Sequence, residues 1–376
     1  MAWWVWAIVQ IGLTAIQAVL TRKPSQRGSP ASLSDLGIAT TAEGRPIPLV
    51  YGTCLLESPM VVWYGDFSAS PHVHSVHHWW GWENQDYGYK YTLGMQLVLC
   101  SGTIDDVLQV RFDDDIPTKV TRTETDDYTD FDFDDPDLYG GDDPPSGEGG
   151  IIGNVRVYHG TSTQEPDDYL DEQFGWEWAH PNPGVPAYRG VAYAVVGRPF
   201  YIGMSPYLKN LSFVVRRCSN GLGFENGEEN IDGDANPACM IYDILTAPSG
   251  TAGMPQYGLG IPESMIDAEA FRAAGQTLSD EGLGLSMVFD GSQSAKDAIA
   301  TILDHVDGVV YREPTTGLLT MKLIRKDYVV EDLPVLDESN CDLESFTRPG
   351  ISTLRNLVRV SYVERGTIVE QGIAES

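Results

Sequence analysis

The chain has 376 residues, with 24 Lys and Arg against 54 Asp and Glu, a formal net charge of −30. That balance excludes a protein whose affinity comes from gripping nucleic-acid phosphates, because such a protein carries a basic footprint and none is visible. With 42% hydrophobic residues, 39 Gly and 23 Pro, the composition predicts two or three folded domains that are rich in strands and turns rather than a helix bundle.

Residues 1–20, MAWWVWAIVQIGLTAIQAVL, contain no charged side chain, and Arg22 and Lys23 follow. A membrane-spanning helix needs about 20 apolar residues, so the length just suffices. The positive charges come after the apolar stretch rather than before it, which argues against a cleavable signal peptide. Gln10, Thr14 and Gln17 give the predicted helix one less apolar stripe, better suited to packing in a helical bundle than to lone insertion. Residues 21–44, rich in Ser, Pro and Gly, read as a linker.

A β-rich region is expected over 45–232. Pro46 to Gly52 and Met60 to Gly65 form two short strands around the turn Glu57-Ser58-Pro59. Ser68 to Tyr89 shows no consistent period and is expected to be a loop. Tyr89 to Cys100 returns to a strand, and Val107 to Phe112 is expected to pair with it through the Ser101–Asp106 turn. Residues 113–148 are very acidic and are expected to be a solvated loop insertion. Strands resume at Ile151 to Tyr158, Tyr188 to Val196 and Leu211 to Arg217.

The texture changes over 233–376, which reads as an α+β module. Asn236-Pro237 offers a cap residue and a proline at the first helical position, opening a helix through ACMIYDILT. Asp267 to Asp280 makes a second helix. Ser294 to Asp307 makes a third, with Ser294 and Asp297 spaced like a capping box and Gly308 as the stop. Val309-Val310-Tyr311 and Leu318 to Ile324 flank the turn Glu313-Pro314-Thr315-Thr316-Gly317 as a hairpin, and Asn356 to Val363 forms a last strand. The fold class is therefore mainly β in the first half and α+β in the second, preceded by a short apolar helix.

Signals for chemistry are weak. Cys54, Cys100, Cys218, Cys239 and Cys341 are odd in number, widely spaced and without a C-x-x-C pair. Zinc patterns and disulfide frameworks are thus poorly supported, and buried free thiols are expected. His72, His74, His77 and His78 are close together, and His-x-His can chelate a metal. With no Cys nearby and only Glu83 and Asp86 as near carboxylates, contact with another subunit outweighs a native metal site. Asp130, Asp132 and Asp134 match the opening of a calcium loop, but Asp135 stands where Gly is needed and Gly141 where Glu is needed. Asp232, Asp234 and Asn236 repeat the opening and fail at Pro237. No G-x-S-x-G, H-E-x-x-H or P-loop is present, and nothing ties the acidic Glu165, Asp167 and Asp168 to a cleft. No catalytic residue and no cofactor is expected.

Five stretches, in order along the chain, carry a resemblance. They are RPIPLVYGTCLLESPMVVWYGD (Arg45 to Asp66), YKYTLGMQLVLCSGTIDDVLQVRFDD (Tyr89 to Asp114) and PAYRGVAYAVVGRPFYIGMSPYLKNLSFVVRR (Pro186 to Arg217). GDANPACMIYDILT (Gly233 to Thr246) follows with GLGIPESMIDAEAFRAAGQTL, and then DGVVYREPTTGLLTMKLIRKDY (Asp307 to Tyr328) with LPVLDESNCDLESFTRP (Leu333 to Pro349). Together they resemble tail proteins of long-tailed bacteriophages, the family related to the tip attachment protein of lambda-like phages and to the hub proteins of gene transfer agents. The resemblance implies a structural virion protein of the tail tip, or baseplate, made in the host cytoplasm. It implies a homotrimer on the tail axis, with barrel or sandwich hub modules followed by an α+β hub module. Its partners would be the distal tail-tube ring, the tape measure protein and the tip or fibre proteins, and genomic DNA would pass without specific binding during ejection. The His- and Trp-rich stretch falls where relatives tend to have a variable, glycine-rich loop. Interface candidates are Trp79, Trp80 and Trp82, together with Trp3, Trp4 and Trp6, which would anchor an axial bundle of apolar helices or contact a host membrane through residues 1–20. Two other classes stay open: a cell-wall hydrolase with a concave carboxylate site, and a receptor- or carbohydrate-binding module with the tryptophans as stacking platforms.

Overall fold

The computed structural model describes Ser32 and residues 45–375, apart from 80, 114, 142–147, 175–183, 205–207, 248–257, 338, 343–344, 346–349, 351–358 and 364–370. The predicted apolar helix and, Ser32 excepted, the linker lie outside the described residues, as do Trp3, Trp4 and Trp6. No helix among the described residues is long and apolar enough to cross a membrane.

The first half is built from β1 (Leu49–Leu56), β2 (Met60–His78), β3 (Gly81–Ser101), β4 (Asp106–Phe112), β5 (Val120–Glu124), β6 (Tyr128–Asp135), β7 (Ile151–Tyr158), β8 (Val191–Gly203) and β9 (Leu211–Arg217). Their order is β4-β9-β1-β3-β8-β7-β6-β5, with β2 on β3 and β12 (Met287–Phe289) on β1. β1 pivots this arrangement. Leu49 to Tyr51 pair with β12, whereas Gly52 to Leu56 pair with β9. The strand changes partner at Gly52, where φ is +69°. The β4-β9-β1 layer thereby folds over the β3-β8-β7-β6 layer, and one core lies between them, with Val107, Phe112 and Phe213 meeting Leu93, Met95 and Val155. The opposite face of the β3-β8-β7 layer is also covered. The short helix α1 (Asp168–Gln173) sets Tyr169 and Leu170 against Tyr158, Tyr193 and Val195. Burial on both faces explains why β3 ends in a nearly continuous apolar run rather than an alternation.

Three expectations are corrected here. β4 pairs with β9, not with β3. The segment between β3 and β4 makes no hairpin turn, because Ile104 donates to the His159 carbonyl and Asp105 to the Arg216 carbonyl, carrying the chain from one layer to the other. Residues 68–89 are not a loop. They continue β2 and β3 as one long hairpin, and register shifts at Val61/Trp63, Gly65/Ser68 and His72/Val73 destroy the two-residue period that would have marked a strand. The acidic insertion 113–148 is not a solvated loop throughout. β5 and β6 extend the sheet, and in β6 Thr129, Phe131, Phe133 and Asp135 point inward while Asp132 and Asp134 point outward.

The second half holds the short strands β10 (Asn230–Ile231) and β11 (Asp234–Ala235), then helices α2 (Pro237–Thr246), α3 (Ala268–Glu281) and α4 (Ala295–Val306). The hairpin β13 (Gly308–Arg312) and β14 (Leu319–Leu323) follows, and β15 (Arg359–Val363) pairs with β16 (Gln371–Glu375). Met240, Ile244, Phe271, Leu278, Ile302 and Met321 form a second core, which Leu49 and Tyr51 of β1 enter from the sheet side. The predicted caps are present: the Asn236 side chain accepts from Ala238 N–H, and Ser294 accepts from Asp297 N–H. The left-handed residue that ends α4 is Asp307 rather than Gly308.

A Cβ at Gly52 would stand 2.6 Å from the Leu285 carbonyl oxygen and 2.9 Å from Ser286 Cα, besides occupying the left-handed region. Gly52→Ala is therefore expected to lower stability by more than about 1–3 kcal/mol, the usual cost of backbone strain alone. Thermal and urea melts of the full chain would measure it; an unchanged midpoint would mean that β1 does not pivot there.

Candidate interaction surfaces

From Tyr91 to Ser101 β3 pairs with β8, but on the other side of Tyr91 it pairs, among the described residues, with β2 alone. Residues 68–90 thus leave the sheet as a two-stranded ribbon. Phe67 and Tyr91 stack at its base with ring centroids 5.7 Å apart. At its far end Trp79 is 91% exposed and Trp82 74% exposed, and the His77 ring meets Trp82 edge-on at 4.7 Å. Of the four clustered histidines, His72 is buried where the ribbon shifts register opposite Gly88, whereas His77 is exposed near the turn. The side chains of His74, His78 and Trp80 lie outside the described residues. Among the described residues, no group of three His, Cys, Asp or Glu is placed to hold a metal ion.

The acidic strand β6 is held by its neighbours. Arg156 of β7 donates to both Asp130 oxygens, at 2.8 and 2.9 Å, and its guanidinium lies 4.2 Å from the Tyr128 ring centroid. Asn154 donates to Asp132 at 2.8 Å. Asp135 is buried; burial pushes its carboxyl up, but donation from the Thr118 N–H and hydroxyl, with Lys119 near, holds it below the usual range. The second calcium-loop match dissolves similarly. Asn236 is fully buried, its amide donating to the Glu228 and Gly275 carbonyls, and Ser286 donates to Asp234. Asp167 caps α1, accepting from Leu170 N–H at 2.9 Å and from the Tyr158 hydroxyl at 3.0 Å, while Glu165 only approaches Arg189 at 3.9 Å.

Between the two cores lies an open cleft of about 600 Å³ lined by Asp105, Arg216, Arg217, Cys218, Glu229 and Asp243. Sequence reasoning missed it because its members come from distant segments. Arg217, only 4% exposed, donates to Asp243 at 2.8 Å and to the Val50 carbonyl at 3.2 Å. Its guanidinium sits 4.7 Å from the Tyr51 ring centroid, and the Tyr51 hydroxyl donates to the same Asp243 oxygen at 2.7 Å. Asp105 accepts from Cys218 N–H at 2.5 Å. Burial pushes the Asp105 carboxyl above its ordinary range despite that hydrogen bond and the pull of Arg217 and Arg216. Cys218 has its thiol pushed up to about 12 by burial and by the Asp105 charge, and burial does the same to Cys54 and Cys100. A thiol is a poor nucleophile until ionised, so these sulfurs are packing atoms at neutral pH.

A fourth surface was also invisible in the sequence. After β14 the chain runs over the surface with Ile324, Tyr328, Val330, Leu333, Val335 and Leu336 all exposed. Natural monomers rarely leave so many large apolar side chains in one uncovered strap.

No protein-family model matches this chain, and no curated protein matches it. Among solved structures, the fold is similar to a chain of the virion of the native gene transfer agent (GTA) particle, with a TM-score of 0.50 and 17% sequence identity. The likeness covers 98% of this chain and 75% of that one. It therefore spans both the layered β half and the α+β half, and at this identity it is a likeness of fold.

Two acids of the cleft are expected to respond oppositely to substitution. Asp243→Ala leaves the Arg217 charge buried, and should cost about 3–5 kcal/mol. Asp105 has a raised folded-state value, so its neutral form stabilises the fold fully below the unfolded value of about 3.9, and this contribution is lost as pH rises through the folded value. Asp105→Asn keeps an acceptor for Cys218 N–H without the charge. It is expected to raise the melting temperature at pH 7, with the gain shrinking as pH falls toward about 4; a lower melting temperature at pH 7 would refute the assignment.

Proposed function

We propose that this chain is a structural protein of a phage-type virion and works at the tail tip as a hub. Three copies would surround the tail axis, join the distal tube ring to the tip or fibre proteins, and leave a conduit for the genome. The observation that carries this reading is the fold likeness to a chain of a gene transfer agent virion across 98% of the present chain. The five sequence stretches similar to tail-tip hub proteins support it independently. So does the charge, since a wall with a net −30 repels passing DNA rather than retaining it.

The chemistry supports a structural role over a catalytic one. The buried Cys218 thiol of the cleft is held protonated, and Asp243 is paired with Arg217. Function then resides in contacts, and the apolar strap after β14 is the surface best suited to a neighbouring copy. Its apolar residues alternate with Arg325, Lys326, Asp327 and Glu331, the mixture of a protein–protein interface with a polar rim.

Light scattering on the full chain is expected to give three times the 41.3 kDa chain mass. Val330→Asp combined with Val335→Asp should shift that trimer toward monomer at least tenfold in concentration, without changing the melt of the monomer. A monomer at all concentrations that also fails to bind a distal tube ring would overturn the hub reading.

A further inference from the structure

We infer that the tip of the β2–β3 ribbon is a lipid-binding element that seats Trp79 and Trp82 in the interfacial zone of a bilayer. The first support is charge. Residues 67–82 contain no Asp, Glu, Lys or Arg, in a chain where 21% of residues are charged and the net charge is −30. A tip meant only for water would be expected to share the acidic character of the rest, whereas an uncharged tip removes the repulsion that this chain would otherwise meet at an anionic headgroup layer.

The second support is position. The uncharged stretch takes in the outgoing strand and the turn, where its two described tryptophans stand 91% and 74% exposed, while Glu83, Asp86 and Lys90 lie on the returning strand. Past Ala69 and Tyr89, which still pack against the first core, about eight residues per strand at about 3.3 Å each carry the turn roughly 25 Å further out. Indole has a large apolar body and one N–H, and it favours the headgroup boundary, where both are satisfied.

The backbone limits the depth. Among the described residues, 68–90 pair as two strands with each other, and a two-stranded ribbon is not the closed barrel that strands need to cross hydrocarbon. The ribbon therefore does not span the bilayer, and only its turn enters the interface. The inference does not depend on the trimeric hub reading, because it concerns one hairpin of one chain.

The test is flotation of the full chain with vesicles of phosphatidylcholine, and with vesicles that also contain phosphatidylglycerol. The wild-type chain is expected to float, and Trp79→Ala with Trp82→Ala should reduce partitioning at least tenfold. Both side chains are exposed, so the melt should not change. Trp3→Ala with Trp4→Ala and Trp6→Ala tests the apolar amino-terminal segment separately and should leave most of the partitioning intact. Lipids brominated near the headgroup end of the acyl chain should quench tryptophan emission, and the 79/82 variant should lose that quenching. The inference is overturned if the wild type does not float, if the 79/82 variant floats equally well, or if only the 3/4/6 variant loses binding. It is also overturned if the 79/82 variant changes the oligomeric mass instead, which would make a second copy the occupant of the tip.

Discussion

Arg217 carries a charge that cannot be given up, since guanidinium stays protonated at any pH a folded protein survives. Buried at the end of β9, it obliges a carboxylate to come to it, and the one that comes is Asp243 of α2. Apolar burial would press the α+β half against the β half in many similar ways, because that attraction has no direction. A buried cation penalises almost all of them by several kcal/mol, since any docking that moves Asp243 away leaves the charge unpaired. The pair adds little net stability compared with a well-packed apolar substitute, and its effect is to select one arrangement. By contrast the exposed pair of Lys322 and Asp327, 3.8 Å apart, contributes at most about 1 kcal/mol and fixes nothing.

Tyr51 and Gly52 show how few residues make the junction. The Tyr51 ring lies under the guanidinium while its hydroxyl reaches Asp243, so one side chain belongs to both cores. The next residue lets β1 turn from β12 to β9. Thr53 continues the pattern, its N–H donating to Ser286 and its hydroxyl to the Gly233 carbonyl. Three consecutive positions thus settle both how the β layers close on each other and where the second half sits.

The elements legible in the sequence are those whose signals are local. Asn236-Pro237 and Ser294 announce helices because a cap acts on N–H groups two or three residues away. The turn before Leu318 likewise announces β13 and β14. What was illegible depends on distant partners. Nothing local tells β4 to choose β9 over β3; the carbonyls of His159 and Arg216 decide it. The ribbon was hidden by its bulges, and the alternation of β6 was hidden by Asp135, an acid on the inward face whose charge is tolerated because Thr118 donates to it twice. Of the candidate site residues, Trp79, Trp82 and His77 were legible as a cluster, but their place at the end of a projecting hairpin was not.

The two uncovered apolar surfaces differ in a way that bears on what they meet. The strap after β14 mixes Val330, Val335 and Leu336 with acids and bases, and a protein neighbour can satisfy both kinds of group by packing the first and pairing the second. The outgoing strand and turn of the ribbon, residues 67–82, offer no charge to pair, only indole, imidazole and other uncharged side chains, and the nearest acid, Glu83, stands on the returning strand. A protein pocket for such a tip would rely on shape and on the few hydrogen bonds of indole and imidazole, whereas a lipid interface asks only for amphipathic rings at the correct depth. On this chemistry the strap suits a protein neighbour and the ribbon suits a lipid surface, so that one chain offers two contact surfaces of different kinds.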